Sequence, residues 1–273
     1  MDSIATRPDP PVACITLDLE NDWYFDREGY DHLTFDYIDR YVELISSLDV
    51  PVSVFVVGET LERYPDDVEC IHSRIDSEFH LHSYTHDLSK SYDFREEVGN
   101  GVVAFESHFG RRPIGYRAPQ GNVERSELCQ LDSMGFEFDS SVFPTFRPGI
   151  YNNLDAPIVP YRPAETERLV EYPIGVLPWV RIPLSQSYLK LFGRLYLRAL
   201  ERLPLPNVVV FDSHLQDFYR TASHDQLDVP LRLIHMRNLD NSIDLFRSFV
   251  RILRQKGYTF VKLTDVHERV ISR

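Results

Sequence analysis

The chain has 273 residues, 43% of them hydrophobic, enough for a sizeable core and for an α/β barrel formed as one domain over residues 1–273. Its 42 acidic against 29 basic side chains give a net charge of −13, a surface that repels phosphate backbones and argues against nucleic acid as a partner. Cys14, Cys70 and Cys129 lie far apart with no Cys-x-x-Cys spacing, which argues against a disulfide framework or a cysteine zinc site.

Only Lys90, Lys190, Lys256 and Lys262 are lysine, and this acidic, arginine-rich balance resembles that of proteins from salt-loving organisms. Met1 to Pro8 has no apolar run of the kind a signal peptide needs, and no stretch approaches the roughly 18 apolar residues of a membrane span. The expectation is a cytoplasmic protein without a membrane span.

In chain order, β-rich runs fall at Cys14 to Leu19, Val52 to Val57, Glu78 to Leu81, Ile114 to Ala118, Phe136 to Ser140, Leu169 to Ile174, Val208 to Asp212 and Thr259 to Leu263. Several are continuously apolar, as strands covered on both faces are. Between them, Thr34 is placed to cap a helix through about Leu48, with Phe35, Ile38, Val42 and Ile45 as its apolar stripe. Similar stripes run through Val98 to Phe109, Ser126 to Met134, Tyr188 to Leu203 and Leu239 to Arg254. The helix of Tyr188 to Leu203 is expected to pack on the barrel rather than touch a membrane.

Strands alternating with helices predict a mostly parallel sheet, and seven or eight repeats predict closure into a barrel, with an open doubly wound sheet as the alternative. The proline-rich stretch from Phe143 to Pro163 reads as a long surface loop near the site.

Functional side chains of parallel α/β folds gather at the C-terminal ends of strands. There the sequence offers Asp18, Glu20 and Asp22, then His82 and His86, Arg117, Asp139, and finally Asp212 and His214. His82 and His86, four apart, reach one cation from a helical or tight-turn backbone, and one carboxylate completes a facial triad with open positions. Alternation in an extended chain sends Asp18, Glu20 and Asp22 to one side while Leu19 packs behind.

The segments Thr16 to Trp23, His82-Ser83-Tyr84-Thr85-His86, Gly115-Tyr116-Arg117-Ala118-Pro119, Asp139 to Pro144 and Val210-Phe211-Asp212-Ser213-His214 resemble, in this order, the successive motifs of the polysaccharide deacetylase family, carbohydrate esterase family 4. The first is closest to the family's Asp-Val-Glu-Asp-Trp variant. The resemblance implies an irregular (β/α) barrel and metal-dependent removal of an acetyl group from an N-acetylated sugar or glycan.

It further implies that Asp18 is the general base, that His82 and His86 are metal ligands, and that Arg117 keeps the base ionised. His214 matches the general acid that protonates the departing amine, with Asp139 or Asp212 to hold its imidazole. Glu20 is the favoured third ligand, because two positions after the base the chain returns to the same face; Asp22 is its rival. Zinc is the first expectation for the metal, with cobalt, manganese or iron also suited to two nitrogens and a carboxylate.

A backbone donor near Pro119 to Gly121 is expected to help hold the oxyanion, and Gln120 stands where the family often has a tyrosine, a departure from its usual oxyanion and substrate contacts. His80 reads as a core residue, Trp23, Tyr24 and Phe25 as a sugar-facing wall or core. No role follows for Tyr84 or His224. Two other readings stay open at this point: an allantoinase-like hydrolase of a small cyclic amide, and a catalytically silent glycan-binding protein.

Overall fold

The structure, a computed structural model, describes residues 2–3, 10–22 and 29–271. Eight strands run parallel: β1 (Val12–Leu19), β2 (Val52–Val56), β3 (Ser77–Leu81), β4 (Gly115–Tyr116), β5 (Phe138–Asp139), β6 (Val170–Glu171), β7 (Val208–Phe211) and β8 (Thr259–Phe260). Each falls on one of the expected apolar runs. Their order is β6-β5-β4-β3-β2-β1-β7, with β8 paired to the start of β1; Tyr161–Arg162 and Asp2–Ser3 extend the β6 edge antiparallel.

The sheet curls. The Gly175 N–H donates to the Val210 carbonyl at 2.8 Å and the Asp212 N–H to the Leu184 carbonyl at 3.3 Å, so the chain after β6 is fastened to β7. This is the irregular (β/α) barrel the strand pattern predicts.

Both faces of β1 are covered, which explains its unbroken apolar run. Val12 and Cys14 pack inside the barrel with Phe55, Phe138, Val170 and Val210, whereas Ala13, Ile15, Leu17 and Leu19 pack on outer helices through Val42, Ile45, Phe246 and Phe249. The register aligns Leu19, Val56, Leu81, Tyr116, Asp139 and Glu171 in one row across the sheet. Glu20, His82 and Arg117 each come one residue beyond that row.

Helices Ile38–Leu48, Phe94–Phe109, Arg125–Ser133 and Ser242–Gln255 occupy the expected stripes. Two expectations need correcting. Thr34 does not cap the first helix: its hydroxyl donates to Asp22 Oδ1 at 2.6 Å, and a 3-10 turn, Leu33–Tyr37, precedes Ile38. The stripe of Tyr188 to Leu203 is two helices, Gln186–Phe192 and Arg194–Arg202, broken at Gly193. Its φ of 58° and ψ of −137° suit only glycine, and an added Cβ would lie 3.1 Å from Asn238 Nδ2.

Leu189, Tyr196 and Leu200 from these two helices are buried in the core. Among the described residues no helix is long and apolar enough to cross a membrane. The segment from Phe143 to Pro163 contains a small antiparallel hairpin, Phe146–Arg147 against Tyr151–Asn152, with Phe143 and Tyr151 rings stacked 6.1 Å apart. Trp23, Tyr24 and Phe25 lie outside the described residues.

Candidate active site

At the C-terminal mouth of the strands, Glu20 Oε2 lies 3.1 Å from His82 Nε2 and 2.8 Å from His86 Nε2, and the two imidazole nitrogens are 3.2 Å apart. Donor atoms bonded to one cation at about 2.0–2.2 Å sit at about these mutual separations, so the triangle has the size of a coordination face. Its donor set, two imidazole nitrogens and one carboxylate, fits zinc and its first-row neighbours.

His82 Nδ1 donates to the Arg117 carbonyl at 2.8 Å. A carbonyl only accepts, so the proton of the neutral ring sits on Nδ1 and the Nε2 lone pair faces the triangle. Gln216 Nε2 donates to Glu20 Oε1 at 3.2 Å, occupying the oxygen that does not face the histidines. Burial works against the Glu20 charge, but His86, His214 and His82 overcome it and hold the carboxyl well below its ordinary pKa.

The segment from His82 to His86 is a tight turn, with Ser83 at φ 67° and His86 at φ 60°. Such left-handed conformations cost side chains free energy, and buried Glu97 offsets it. Its Oε1 accepts from the Tyr84 N–H at 3.0 Å, the Thr85 N–H at 2.7 Å and the Ser83 hydroxyl.

Asp18 sits beside the triangle, its Oδ2 3.7 Å from His82 Nε2. The guanidinium of Arg117 donates to Asp18 Oδ1 at 2.6 Å, Thr16 Oγ1 at 2.8 Å, Ser140 O at 2.8 Å and Ser140 Oγ at 3.0 Å, and stacks 4.0 Å from the Phe55 ring centre. All three of its nitrogens are engaged, which fixes the carboxylate it holds. Asp212 Oδ1 lies 3.4 Å from the same guanidinium. Burial, then the Asp18 charge, raises the Asp212 pKa against the pull of His214 and Arg117.

His214 completes the group from β7, the strand beside Asp18. Its backbone bridges to Asp18, and its Nε2 lies 3.7 Å from Asp18 Oδ2 and 3.6 Å from Glu20 Oε1. Its side chain is 24% exposed whereas Asp18, Glu20, His82 and Arg117 are each nearly sealed, so His214 is the most open side chain of the cluster. Burial opposes its charge, but Glu20, Asp212, Asp217 and Asp18 raise its pKa well above the ordinary histidine value.

The carboxylate at His214 Nδ1 is Asp217 Oδ2, at 3.2 Å, rather than Asp139 or Asp212. Asp139 instead shares the row of Leu81 and Tyr116, whose side chains belong to the cluster packed under the outer helices. There it accepts from the Ser141 N–H at 3.1 Å and the Ser141 hydroxyl at 2.7 Å and sits against Glu171, whose Oε1 accepts the Val142 N–H at 2.9 Å. Burial and the shared negative charge push Glu171 well above its ordinary pKa, and burial raises Asp139.

Asp22 is also elsewhere engaged. Its Oδ1 accepts from Thr34 N and Oγ1, at 3.1 and 2.6 Å, and its Oδ2 from Ser223 at 2.8 Å, so it stitches three loops together. His224 joins the same stitching, with Nε2 3.1 Å from the Gln216 carbonyl. His80 packs inside the barrel between Phe55 and Phe138, 3.0 Å from Glu78. In the turn Pro119–Gly121 the Gly121 N–H already donates to Ala118 O at 2.9 Å; the Gln120 amide, at φ 56°, is the donor this turn offers.

Glu97, Gln216 and Asp217 are the site residues that sequence reasoning missed. Asp217 alone left a signal, its spacing of three from His214. A surface cavity of about 500 Å³ between Arg194–Arg202 and Ser242–Gln255 mixes Arg194, Arg198 and Arg251 with Glu201 and Asp244 and contains none of these residues.

The curled parallel sheet thus carries two histidines, clamped carboxylates and a further histidine at its C-terminal mouth. Residues 26–138 match the family model described as polysaccharide deacetylase, the family whose motifs the sequence resembles. That span includes His82, His86 and Arg117 and stops short of Asp139 and His214.

Among curated proteins, the peptidoglycan deacetylase-like protein FGM2 of Gibberella zeae is 26% identical over 112 residues, 38% of this chain and 32% of that protein. The match thus spans about a third of the relative's length. A structure from Mycobacterium smegmatis assigned as a polysaccharide deacetylase superposes with a TM-score of 0.65 at 18% identity, covering 99% of this chain and 94% of that one. Puue allantoinase gives 0.59 at 14% identity, covering 98% and 93%. At such identities these likenesses establish the fold.

Proposed function

We propose that the protein is a metal-dependent deacetylase that removes the acetyl group from an N-acetylated sugar or glycan. The observation that carries this reading is the convergence of Glu20 Oε2, His82 Nε2 and His86 Nε2 within 2.8–3.2 Å, beside a carboxylate clamped by a buried arginine.

Glu20, His82 and His86 hold a divalent cation, zinc in the first instance, with cobalt, manganese or iron also suited. When bound, such a cation acidifies water and polarises a carbonyl. Asp18 takes the proton of the attacking water, and Arg117, 2.6 Å from its Oδ1, keeps that carboxylate aimed. His214 gives its Nε2 proton to the departing amine nitrogen as the C–N bond breaks, while Asp217 holds the Nδ1 proton. The Gln120 amide supplies a hydrogen bond to the developing oxyanion.

The substrate approaches over His214, the most open member of the group. We place the protein in the cytoplasm of a salt-loving organism, on its acidic, lysine-poor surface; stability that rises in molar potassium chloride supports this, and stability indifferent to it contradicts it.

The test of the activity is acetate release from N-acetylglucosamine oligomers by protein before and after chelation and after reloading with zinc. Release that stops on chelation and returns with metal is expected. Protein that keeps its metal but frees no acetate from any N-acetyl sugar contradicts the reading, and turnover of allantoin by that protein points to a cyclic amide instead.

A further inference from the structure

Lys190 is the only fully buried lysine of the chain's four. Its Nζ lies 3.0 Å from Asp217 Oδ1, with 1% and 2% of the two side chains exposed, and it also donates to the His235 carbonyl at 3.2 Å. Ser187, on the same short helix, donates to Asp217 at 2.8 Å. The other oxygen of Asp217 meets His214 Nδ1.

Sealing an ammonium and a carboxylate away from water costs several kcal/mol per ion, and an apolar pair of similar volume commonly serves stability as well. The ion pair therefore calls for a reason other than packing. Its helix, Gln186–Phe192, is tied to the site strand directly: Ser185 bridges to Asp212, and the Gln186 N–H donates to the Asp212 carbonyl at 2.9 Å. Asn238 Nδ2 holds the Lys190 carbonyl at 2.6 Å. Lysine, aspartate and histidine are thus mounted on one hydrogen-bonded frame.

We propose that Lys190 is a positioning residue for proton delivery: its ammonium holds the Asp217 carboxylate in the one orientation that aims His214 Nε2 into the site. The proposal rests on the reading of His214 as the acid that protonates the departing amine. The proton leaves Nε2 for the amine nitrogen as the acetyl C–N bond breaks, and Lys190 itself exchanges no proton and touches no substrate. Without it, Asp217 is a buried carboxylate lacking its counter-charge, free to turn from Nδ1, and the imidazole loses its aim.

An amide needs that proton on its leaving group, whereas 4-nitrophenyl acetate expels a stable phenolate and does not. Zinc-loaded Lys190→Met protein should therefore lose about 10- to 100-fold in kcat on N-acetylglucosamine oligomers, the usual scale for loss of a supporting partner. Its KM and metal content should be unchanged, and its hydrolysis of the aryl ester should fall less than about threefold. Lys190→Arg should restore most of the loss, and Asp217→Asn should reproduce the split between substrates.

A second readout does not depend on turnover. The low-field Nδ1–H resonance of His214, assigned by its loss in His214→Gln, should be present in the parent and displaced or exchanged away in Lys190→Met. Equal loss on both substrates, or no loss on either with an unmoved resonance, overturns the proposal. Parent protein that cleaves the aryl ester but no N-acetyl sugar overturns the deacetylase reading, and the resonance then decides the Lys190 claim by itself. If Lys190→Met does not fold, Lys190→Gln and Ser187→Ala carry the same comparison.

Discussion

Two buried acidic groups lie at the C-terminal ends of different strands and have opposite electrostatics. Asp18 and Glu20 face the barrel mouth among Arg117, His82, His86 and His214, and against its burial His86, His214 and His82 hold Glu20 ionised. Asp139 and Glu171 lie one row away, toward the outer helices, with each other, a serine and a backbone amide as nearest partners, and both carboxyl pKa values are raised. Residue type is the same in the two places. What differs is which way the strand pleat aims the side chain, and hence whether it meets positive charge or another acid.

The largest effect expected from this contrast is on turnover. Asp18→Asn should lower acetate release by about 10²- to 10⁴-fold with metal retained, the range a lost general base commonly costs, while Asp139→Asn should stay within a few-fold of the parent. Equal losses in the two variants would erase the distinction.

Arg117→Met tests what holds the first group together. Removing one partner from a buried, hydrogen-bonded ion pair costs about 3–5 kcal/mol, which denaturant titration should register together with near-complete loss of activity.

The subtlest effect concerns pH. A carboxyl whose folded pKa lies above its unfolded value of about 4.3 binds more protons folded than unfolded, so its contribution is complete below that value and is lost as pH rises through the folded pKa. Glu171→Gln fixes the pair in its hydrogen-donating form. The variant should therefore gain stability relative to the parent as pH climbs above 5, and a difference that is flat from pH 4 to 9 would show that the pair does not hold a proton.

Much of the architecture was legible because β1 and its neighbours are apolar on both faces, a pattern few other arrangements produce. Asp18, His82, His86, Arg117 and His214 could be singled out for a related reason: they follow such runs, and strand pairing then brings them to one end of the sheet. Asp139 was misplaced because β5 is only two residues long, too short for its own pattern to show which face its side chain takes. Glu20 could not be separated from Asp22 by alternation alone, since β1 ends at Leu19 and the chain then turns toward Thr34.

Glu97 and Lys190 escaped notice because their work depends on where turns fall, which no local period reveals. Gly193 was overlooked for the converse reason. The apolar period runs through it unbroken, and the break shows only in its φ of 58° and ψ of −137°.

The central claim, that Glu20, His82 and His86 form a metal centre while Asp22 ties loops, is tested most directly by metal content of purified protein after equilibration with zinc. The account predicts about one equivalent in the parent and in Asp22→Ala, and almost none in Glu20→Ala or His82→Ala. Retention of the full equivalent by Glu20→Ala, with its loss in Asp22→Ala, would contradict it.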